Sequence, residues 1–135
     1  MLLLFFNNTN FALVGDATGL RGSSTAGSLY VSLHTADPGE AGDQTTSEIT
    51  YTSYARVAVA RSSSGFTVTA NSVSPFATVT FPAGTGGSGT ATYFGVGTAS
   101  SGAGVLLYSG AITPNIVCGN GVTPSLTTAS TITED

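Results

Sequence analysis

The sequence contains no lysine, no tryptophan and a single cysteine, and charged residues of both signs are scarce. Three arginines stand against seven acidic residues, so the net charge is −4 at pH 7. Nucleic-acid binding needs clustered cations that displace counterions, and this composition excludes it. Because Cys118 has no second cysteine to pair with, we expect no internal disulfide and no multi-cysteine zinc site.

Long apolar runs are also missing. The longest one, residues 1–6, is shorter than the core of about 7 to 15 residues that a secretory signal needs, and a membrane-spanning helix needs about 20. No lysine or arginine precedes this run. We therefore expect neither a targeting signal nor association with a membrane.

Charged residues make up only 7% of the chain, whereas soluble proteins usually keep about a quarter of their residues charged. We infer that other subunits cover much of the surface and that the protein is oligomeric where it works. Small and β-branched residues dominate the rest, which favours short strands and tight turns over helices.

Two alternating apolar segments enclose a long acidic loop in the first half of the chain. Residues 28–34 and residues 54–61 both show the period-2 pattern of strands with one buried face. We expect the arginines of the second segment, Arg56 and Arg61, to face outward. The loop at residues 37–48 opens with Asp-Pro-Gly, a typical turn tripeptide.

Short alternating segments separated by turn residues fill the rest of the chain. Candidate strands lie at residues 66–70, 77–81, 92–96 and 105–112, with one or two more in the tail. This pattern predicts an all-β fold, an antiparallel β-sandwich that is jelly-roll-like or immunoglobulin-like, with a short N-terminal extension. We expect residues 28–135 to form a single sandwich domain and residues 1–27 to be an apolar segment followed by a Gly/Ser linker. The pattern does not choose between helix and strand for residues 1–14.

The acidic loop has the outline of a calcium loop but lacks part of its ligand set. Asp37, Gly42 and Glu48 occupy the first, sixth and twelfth positions, as in a loop of the EF-hand type. The third and fifth positions carry no side-chain oxygen, and no helices flank the loop. We expect no metal site here. An ion in another geometry stays an alternative, held by Asp37, Glu40, Asp43 and carbonyl groups.

Two patterns typical of enzymes are incomplete. Ser32 and His34 share one face of a strand, but Asp37 lies in a turn and no nucleophile elbow is present. The glycine-rich residues 84–89 satisfy G-x-G-x-x-G, yet a strand pattern follows them where a dinucleotide site requires a helix. We expect a hairpin loop there, no catalytic residues, no cofactor and no enzymatic activity.

Two groups of residues are candidates for structural contacts. Arg56 lies close in sequence to the acidic loop, and a charge pair to Glu48 or Asp43 would pin the loop across the strand. The apolar end of the chain either packs on its own domain or contacts a partner protein. Its candidate partner-contact residues are Leu2, Leu3, Leu4, Phe5 and Phe6.

Three motifs carry a resemblance to a known family. They are Leu33-His34-Thr35-Ala36-Asp37-Pro38-Gly39-Glu40, the segment at residues 54–59, and the segment at residues 94–111, which includes Phe94-Gly95-Val96-Gly97-Thr98-Ala99. From about Ser28 to the C-terminus the chain resembles small virion proteins of tailed bacteriophages. The resemblance implies a structural, non-enzymatic role in the virion.

Our leading hypothesis from the sequence is a capsid decoration protein that bridges subunits on the outer surface of the head. Its partners would be the major capsid protein, copies of itself, or both, and it would stabilise the assembled shell by binding only that state. The alternative is a tail component, at the tip, the collar or a fibre. A third hypothesis, a carbohydrate-binding module, needs an exposed aromatic platform, for which Tyr30, Tyr51, Tyr54 and Tyr93 are available.

Overall fold

The computed structural model describes residues 1–9 and 25–134, which contain a short helix and nine strands. The elements are α1 (Leu2–Asn7), β1 (Ser28–His34), β2 (Val57–Ala60), β3 (Phe66–Thr69), β4 (Ser72–Pro75), β5 (Val79–Thr80), β6 (Ser88–Gly97), β7 (Leu106–Gly119), β8 (Ser125–Leu126) and β9 (Ile132–Thr133). Residues 2–7 are therefore helical, and the rest of the undecided segment from residue 10 onward lies outside the described residues, as does most of the expected linker.

The predicted all-β antiparallel class is confirmed. Strands form a four-stranded sheet of order β2-β1-β6-β7, a three-stranded sheet of order β3-β4-β9 and a two-stranded sheet of β5 and β8. The ladders β1–β6, β3–β4, β4–β9, β5–β8 and β6–β7 are all antiparallel, which is consistent with a β-sandwich. Strand β1 is buried on both faces from Val31 to His34, and β6 is buried on both faces from Phe94 to Gly97.

The chain divides into two compact units. The first comprises Met1–Leu29, Val59–Thr78 and Thr127–Asp135, and the second comprises Tyr30–Ala58 and Val79–Leu126. In the first unit, α1 packs on β3, where the Phe6 and Phe66 rings meet edge to face with centroids 4.8 Å apart. This unit's core consists of Leu2, Phe6, Phe66 and Val73, with Leu29 also buried.

The second unit contains the acidic loop and the long β6–β7 ladder. Leu33 of β1 pairs with Phe94 of β6, and His34 pairs with Tyr93. The β6–β7 register shifts between Ala91 and Tyr93. The buried apolar side chains of this unit are Val31, Leu33, Ile49, Tyr51, Val79, Phe81, Ala91, Phe94, Val96, Ile112, Cys118 and Leu126.

Several strands differ from the sequence prediction: β6 and β7 are longer than the segments expected at residues 92–96 and 105–112. The strand expected at residues 54–61 is limited to Val57–Ala60, because Tyr54 and Arg56 turn their side chains into a hydrogen-bonded cluster before the strand begins. Strand β4 was not predicted, since it has one buried apolar residue, Val73, in a polar context. It forms because Ala70, in a left-handed conformation with φ of 54°, turns the chain back onto β3.

Among the described residues, no helix has both the length and the apolar character that crossing a membrane requires. The N-terminal helix α1 is six residues long.

Candidate functional site

A buried ion pair joins the end of the acidic loop to the segment that precedes β2. Arg56 Nε and Nη2 each donate to a different carboxylate oxygen of Glu48, both over 2.7 Å. The Arg56 and Glu48 side chains are only 2% and 16% exposed. The structure thus places the candidate charge pair Arg56 and Glu48 together, and the expectation that Arg56 faces outward was wrong. An arginine–carboxylate pair with two parallel hydrogen bonds, as here, is stronger than one with a single hydrogen bond.

Arg56 also binds a second loop. Its Nη1 donates to the carbonyl of Ala99 over 2.9 Å, and its Nη2 donates to the carbonyl of Gly102 over 2.8 Å. One guanidinium therefore fixes three separate segments, and its planar fork is suited to that task. The hydrogen bonds that Arg56 donates to Glu48 raise the pKa of Arg56 above its ordinary value.

Tyr54 completes this cluster. Its hydroxyl donates to Glu48 Oε1 over 2.9 Å and accepts a hydrogen bond from the Leu33 backbone N–H over 3.1 Å. Burial raises the pKa of Tyr54 well above its ordinary value, so the phenol stays a donor to the carboxylate. The cluster thus ties β1 to the ion pair.

The buried His34 side chain also attaches the acidic loop to β1 through a hydrogen bond. Its Nδ1 lies 2.8 Å from the Thr46 carbonyl, which can only accept, so Nδ1 carries the proton. Nε2 then accepts from the Ser32 hydroxyl over 2.8 Å. Burial lowers the pKa of His34, an effect that the nearby Glu48 carboxylate partly opposes. The imidazole is therefore neutral and acts as a bridge between β1 and the loop.

The Ser32–His34 pair has the spacing of a catalytic dyad, but the third member suggested by the sequence is elsewhere. Asp37 is exposed, and its carboxylate accepts from the backbone N–H of Gly39 over 2.9 Å. Ser32 and His34 are both 0% exposed. A Cβ on Gly95 would lie 2.7 Å from each of them, so β6 passes directly over the pair.

Gln44 is a buried contact that the sequence did not suggest. Its backbone N–H donates to the Ala103 carbonyl, and its side-chain Oε1 accepts from the Ala99 N–H, both over 2.9 Å. The side chain lies against Gly97 and Gly104, where a Cβ would overlap it. In the sequence, the closely spaced glycines of the motif at residues 94–111 were the feature that could have indicated this contact. Glycines leave room for a side chain from another segment.

The three acids proposed as alternative cation ligands are not brought together. Asp43 accepts from the backbone N–H of Thr45 over 2.8 Å and also from its hydroxyl, and these bonds lower the pKa of Asp43. Across residues 1–9 and 25–134, no three His, Cys, Asp or Glu side chains are close enough to share a metal ion.

An open groove with a volume of about 450 Å³ lies beside the acidic loop. We call it the acidic groove. Two carboxylates, two tyrosines, a hydroxyl and two leucines line it together with backbone of the loop. Its lining residues are Asp37, Gly39, Glu40, Gly42, Tyr93, Leu106, Leu107, Tyr108 and Ser109.

The apolar N-terminal end is partly buried within its own unit. Leu2 and Phe6 are 2% and 0% exposed, whereas Leu3 is 46% exposed. Leu4 and Phe5 are half-buried, and their carbonyls accept from Arg61 Nη2 and Nε over 2.8 and 2.7 Å. Arg61 therefore caps the C-terminal end of α1, which favours a cation. Of the candidate partner-contact residues, Leu3 is the one that is open to another protein.

The tyrosines do not form the platform that a carbohydrate-binding module would need. Tyr51 is buried and donates to the Pro82 carbonyl over 2.8 Å. Tyr54 stacks on Phe81 with ring centroids 6.3 Å apart. Tyr30 and Tyr93 are half-buried, and Tyr93 lies at the acidic groove.

Comparison with known proteins identifies the family. A family model described as podophage GP4 fiber I protein gp80 matches residues 13–133, beginning well ahead of Ser28. A comparison with curated proteins found no match. The match covers nearly the whole chain, in agreement with the phage resemblance of its motifs. The chain belongs to this family of phage fibre proteins and is a structural protein of the phage virion.

Proposed function

We propose that this chain is a structural subunit of the tail fibre apparatus, without enzymatic activity of its own. The observation that carries the proposal is the match of residues 13–133 to a family described as a fibre protein. The tail was the alternative location drawn from the sequence, and the family description supports it over the head surface.

The surface chemistry supports a role as one subunit among others. With only 7% charged residues, the chain lacks the solvated surface of a free protein. Several large apolar side chains are exposed. Those that a neighbouring subunit would cover are Leu3, Phe76, Val105 and Val117, which are 46%, 60%, 57% and 70% exposed. Burying such groups contributes about 25 cal/mol per Å² of apolar area. The partners would be copies of this chain or neighbouring virion proteins.

The internal contacts of the acidic loop are consistent with a structural subunit that transmits mechanical force. The acidic loop is fixed to the sheet by the Arg56–Glu48 pair, in which the Arg56 side chain is buried, and by the buried His34. We expect a loop with such attachments to keep its shape when a neighbouring subunit pulls on it. Opening the loop would leave charged and polar groups without their hydrogen-bond partners, which is energetically costly.

A capsid decoration protein is the second candidate, because it would explain the sparse charge equally well. It would bind the shell at many equivalent lattice positions and stabilise it by mass action. The family description does not favour it.

Electron microscopy of virions labelled with a gold-conjugated antibody against this chain tests the location. We expect gold at the tail and its fibres. An antibody against the major capsid protein serves as the control for labelling of the head. Gold distributed around the head would contradict the fibre proposal.

A further inference from the structure

We infer that a second copy of this chain pairs with the outer edge of β7, so that two sheets join into one continuous sheet across a two-fold axis. The second β7 would run antiparallel to the first, with Gly110 of each copy at the axis. As a contact inside the virion, this pairing rests on the proposed role as one structural subunit among others. As a property of the purified chain, it rests on the backbone of β7.

Strand β7 is an edge strand. It ends the sheet order β2-β1-β6-β7, and within residues 1–9 and 25–134 its ladder is with β6 alone. At 14 residues it is long for an edge strand, since proteins usually keep exposed edges short. The outer edge of such a strand presents backbone N–H and C=O groups that a further strand can bind.

The hydrogen bonds of β1 show the direction in which the backbone groups of β6 point. The Leu33 N–H donates to the Tyr54 hydroxyl, and the Leu33 carbonyl accepts from the Ile49 N–H, so both groups point away from β6. Because the direction alternates along an antiparallel strand, the two neighbours of Leu33 point toward β6, where they pair with Tyr93 and Gly95. Those two residues of β6 therefore point to β1, and the residue between them points to β7.

The same alternation identifies the outward groups of β7. Phe94, the residue between those two, pairs with Gly110, so Gly110 directs its N–H and C=O to β6. The backbone groups of Ser109 and Ala111 then point away from β6, and both residues are exposed. Among the described residues, neither makes a backbone hydrogen bond outside the strand ladders. The edge thus offers two N–H and two C=O groups at the spacing of an antiparallel ladder.

The outer edge of β7 carries none of the charged side chains that usually protect an edge strand. Residues 62–133 contain no charged residue. The side chains at the centre of the edge, Ser109, Gly110 and Ala111, are small, which lets another backbone approach closely. Pro114 cannot donate to a ladder and limits the pairing on one side. An uncharged strand can therefore pair along the first half of β7.

A second β7 meets these requirements. An identical strand brings no charge to the contact, and a two-fold axis makes one edge complementary to itself. With the axis at Gly110, Ser109 lies opposite Ala111 of the second copy, and Ala111 lies opposite Ser109 of that copy. Both members of each pair direct their N–H and C=O at the other, so each pair exchanges both of its hydrogen bonds.

The antiparallel direction also separates the acidic loops of the two copies. In each copy, Asp37 and Glu40 lie beside the segment from Leu106 to Ser109, on one side of the axis. The same carboxylates of the second copy come to the other side. A parallel pairing would place all of them on one side, where like charges repel.

Cysteine cross-linking tests the register. Ser109→Cys and Ala111→Cys are made in separate chains, which are then mixed and oxidised. Opposite residues of a hydrogen-bonded pair have Cα atoms about 5.5 Å apart, within reach of a disulfide. We expect a linked dimer from the mixture and much less from either variant alone, because like positions would lie about 8 Å apart. The natural chain, whose Cys118 is 1% exposed, is the control under the same oxidant.

Sedimentation equilibrium of the purified full-length chain measures the association itself. We expect a monomer–dimer equilibrium with a dissociation constant below about 100 µM, an affinity that many neighbouring contacts in a particle would reinforce. Since the contact holds no charged residue, raising the salt concentration should not weaken the dimer.

Ala111→Pro removes an outward N–H without removing a bond to β6, and it should raise the dissociation constant at least about tenfold. Ala111→Ser keeps that N–H and is its matched control. Ser109→Lys should have a similar effect, because it places like charges at the contact. Its matched control is Val117→Lys, which adds the same charge to β7 beyond Pro114 at a side chain that is 70% exposed.

Melting temperatures separate unfolding from lost association, and Ser109→Lys tests the contact if Ala111→Pro fails to fold. A chain that stays monomeric at about 1 mM would overturn the pairing, as would a trimer or a dimer that Ser109→Lys leaves unchanged. Equal cross-linking of Ser109→Cys with itself and with Ala111→Cys would overturn the register. Gold label on the fibre with a monomeric chain would reject the pairing alone, whereas a dimer found on the head would reject the fibre role alone.

Discussion

Arg56 and Glu48 form a two-point ion pair in which both nitrogen–oxygen distances are 2.7 Å, and the same guanidinium donates to the carbonyls of Ala99 and Gly102. The Arg56 side chain is 2% exposed. Three parts of the chain therefore share one buried cation, which makes this pair the main attachment of the acidic loop.

Arg56→Gln should lower the free energy of unfolding by about 3–5 kcal/mol, because it leaves the Glu48 carboxylate buried without its counter-ion. Urea unfolding of the purified chain measures this loss. The double variant Arg56→Met with Glu48→Leu should lose less than the sum of the two single variants. A loss below about 1 kcal/mol in Arg56→Gln is the size found for exposed pairs and would contradict the account.

His34 should make stability depend on pH in a defined window. Burial lowers the pKa of the folded imidazole below its ordinary value of 6.5, so below that pH the unfolded chain binds a proton that the folded chain does not. The free energy of unfolding should therefore be constant above this range and fall as the pH is lowered, by at most about 1.4 kcal/mol per pH unit.

Urea unfolding between about pH 7.5 and pH 5 measures this slope in a range where carboxylates contribute little. The chain has one histidine, so His34→Gln should remove the slope even though it lowers stability. A slope that persists in His34→Gln would show that another group is responsible.

Gly95→Ala should destabilise the second unit. A Cβ at this position would lie 2.7 Å from His34 Nε2 and from Ser32 Oγ, and 2.8 Å from Leu106 Cδ1. Inserting a methyl group into such packing costs about 1–3 kcal/mol. Gly86→Ala is the control, because its nearest neighbour is the Thr52 hydroxyl at 3.3 Å, and it should cost clearly less. Equal unfolding midpoints for both variants would argue against the close approach of β6 to the Ser32–His34 pair.

The two faces of α1 should respond differently to substitution. Phe6 is 0% exposed and packs on Phe66, so Phe6→Ala should cost about 3–5 kcal/mol. Leu3 is 46% exposed, and Leu3→Ala should stay within about 0.5 kcal/mol of the natural chain. Thermal unfolding followed by circular dichroism compares the two.

Leu3→Asp then tests whether the apolar end contacts a virion partner. We expect a folded protein with the melting temperature of the natural chain but reduced incorporation into virions, because a charge at an apolar contact is costly to bury. Incorporation is measured by mass spectrometry of purified particles. Normal incorporation of Leu3→Asp would remove Leu3 from the candidate contacts.

Strands with a clear alternation of apolar and polar residues could be predicted from the sequence. Residues 28–34 alternate strictly, and β1 has those bounds. Strand β4 was not predictable, because Val73 alone carries its pattern and its pairing depends on a turn at Ala70. The outward direction predicted for Arg56 failed for a related reason. Alternation predicts which face a side chain takes within a strand. Arg56 precedes β2, and the ion pair with Glu48 determines the orientation of its side chain instead.

The candidate site was predictable only in pieces. The charge pair followed from the scarcity of cations, since seven acidic residues have only three arginines to pair with and Arg56 lies close in sequence to the acidic loop. Gln44 was not predictable, because its burial depends on contacts with Gly97 and Gly104, far along the chain. The acidic groove combines the loop with β6 and β7 and therefore exists only once the strands have paired.

The number of copies of this chain per virion tests the fibre role most directly. Quantitative mass spectrometry of purified particles, with the major capsid protein as the internal standard, measures it. A fibre subunit should be present in a few to some tens of copies per particle, far below the capsid protein. A ratio of one copy to one or a few capsid subunits would contradict the account and place the protein on the head lattice.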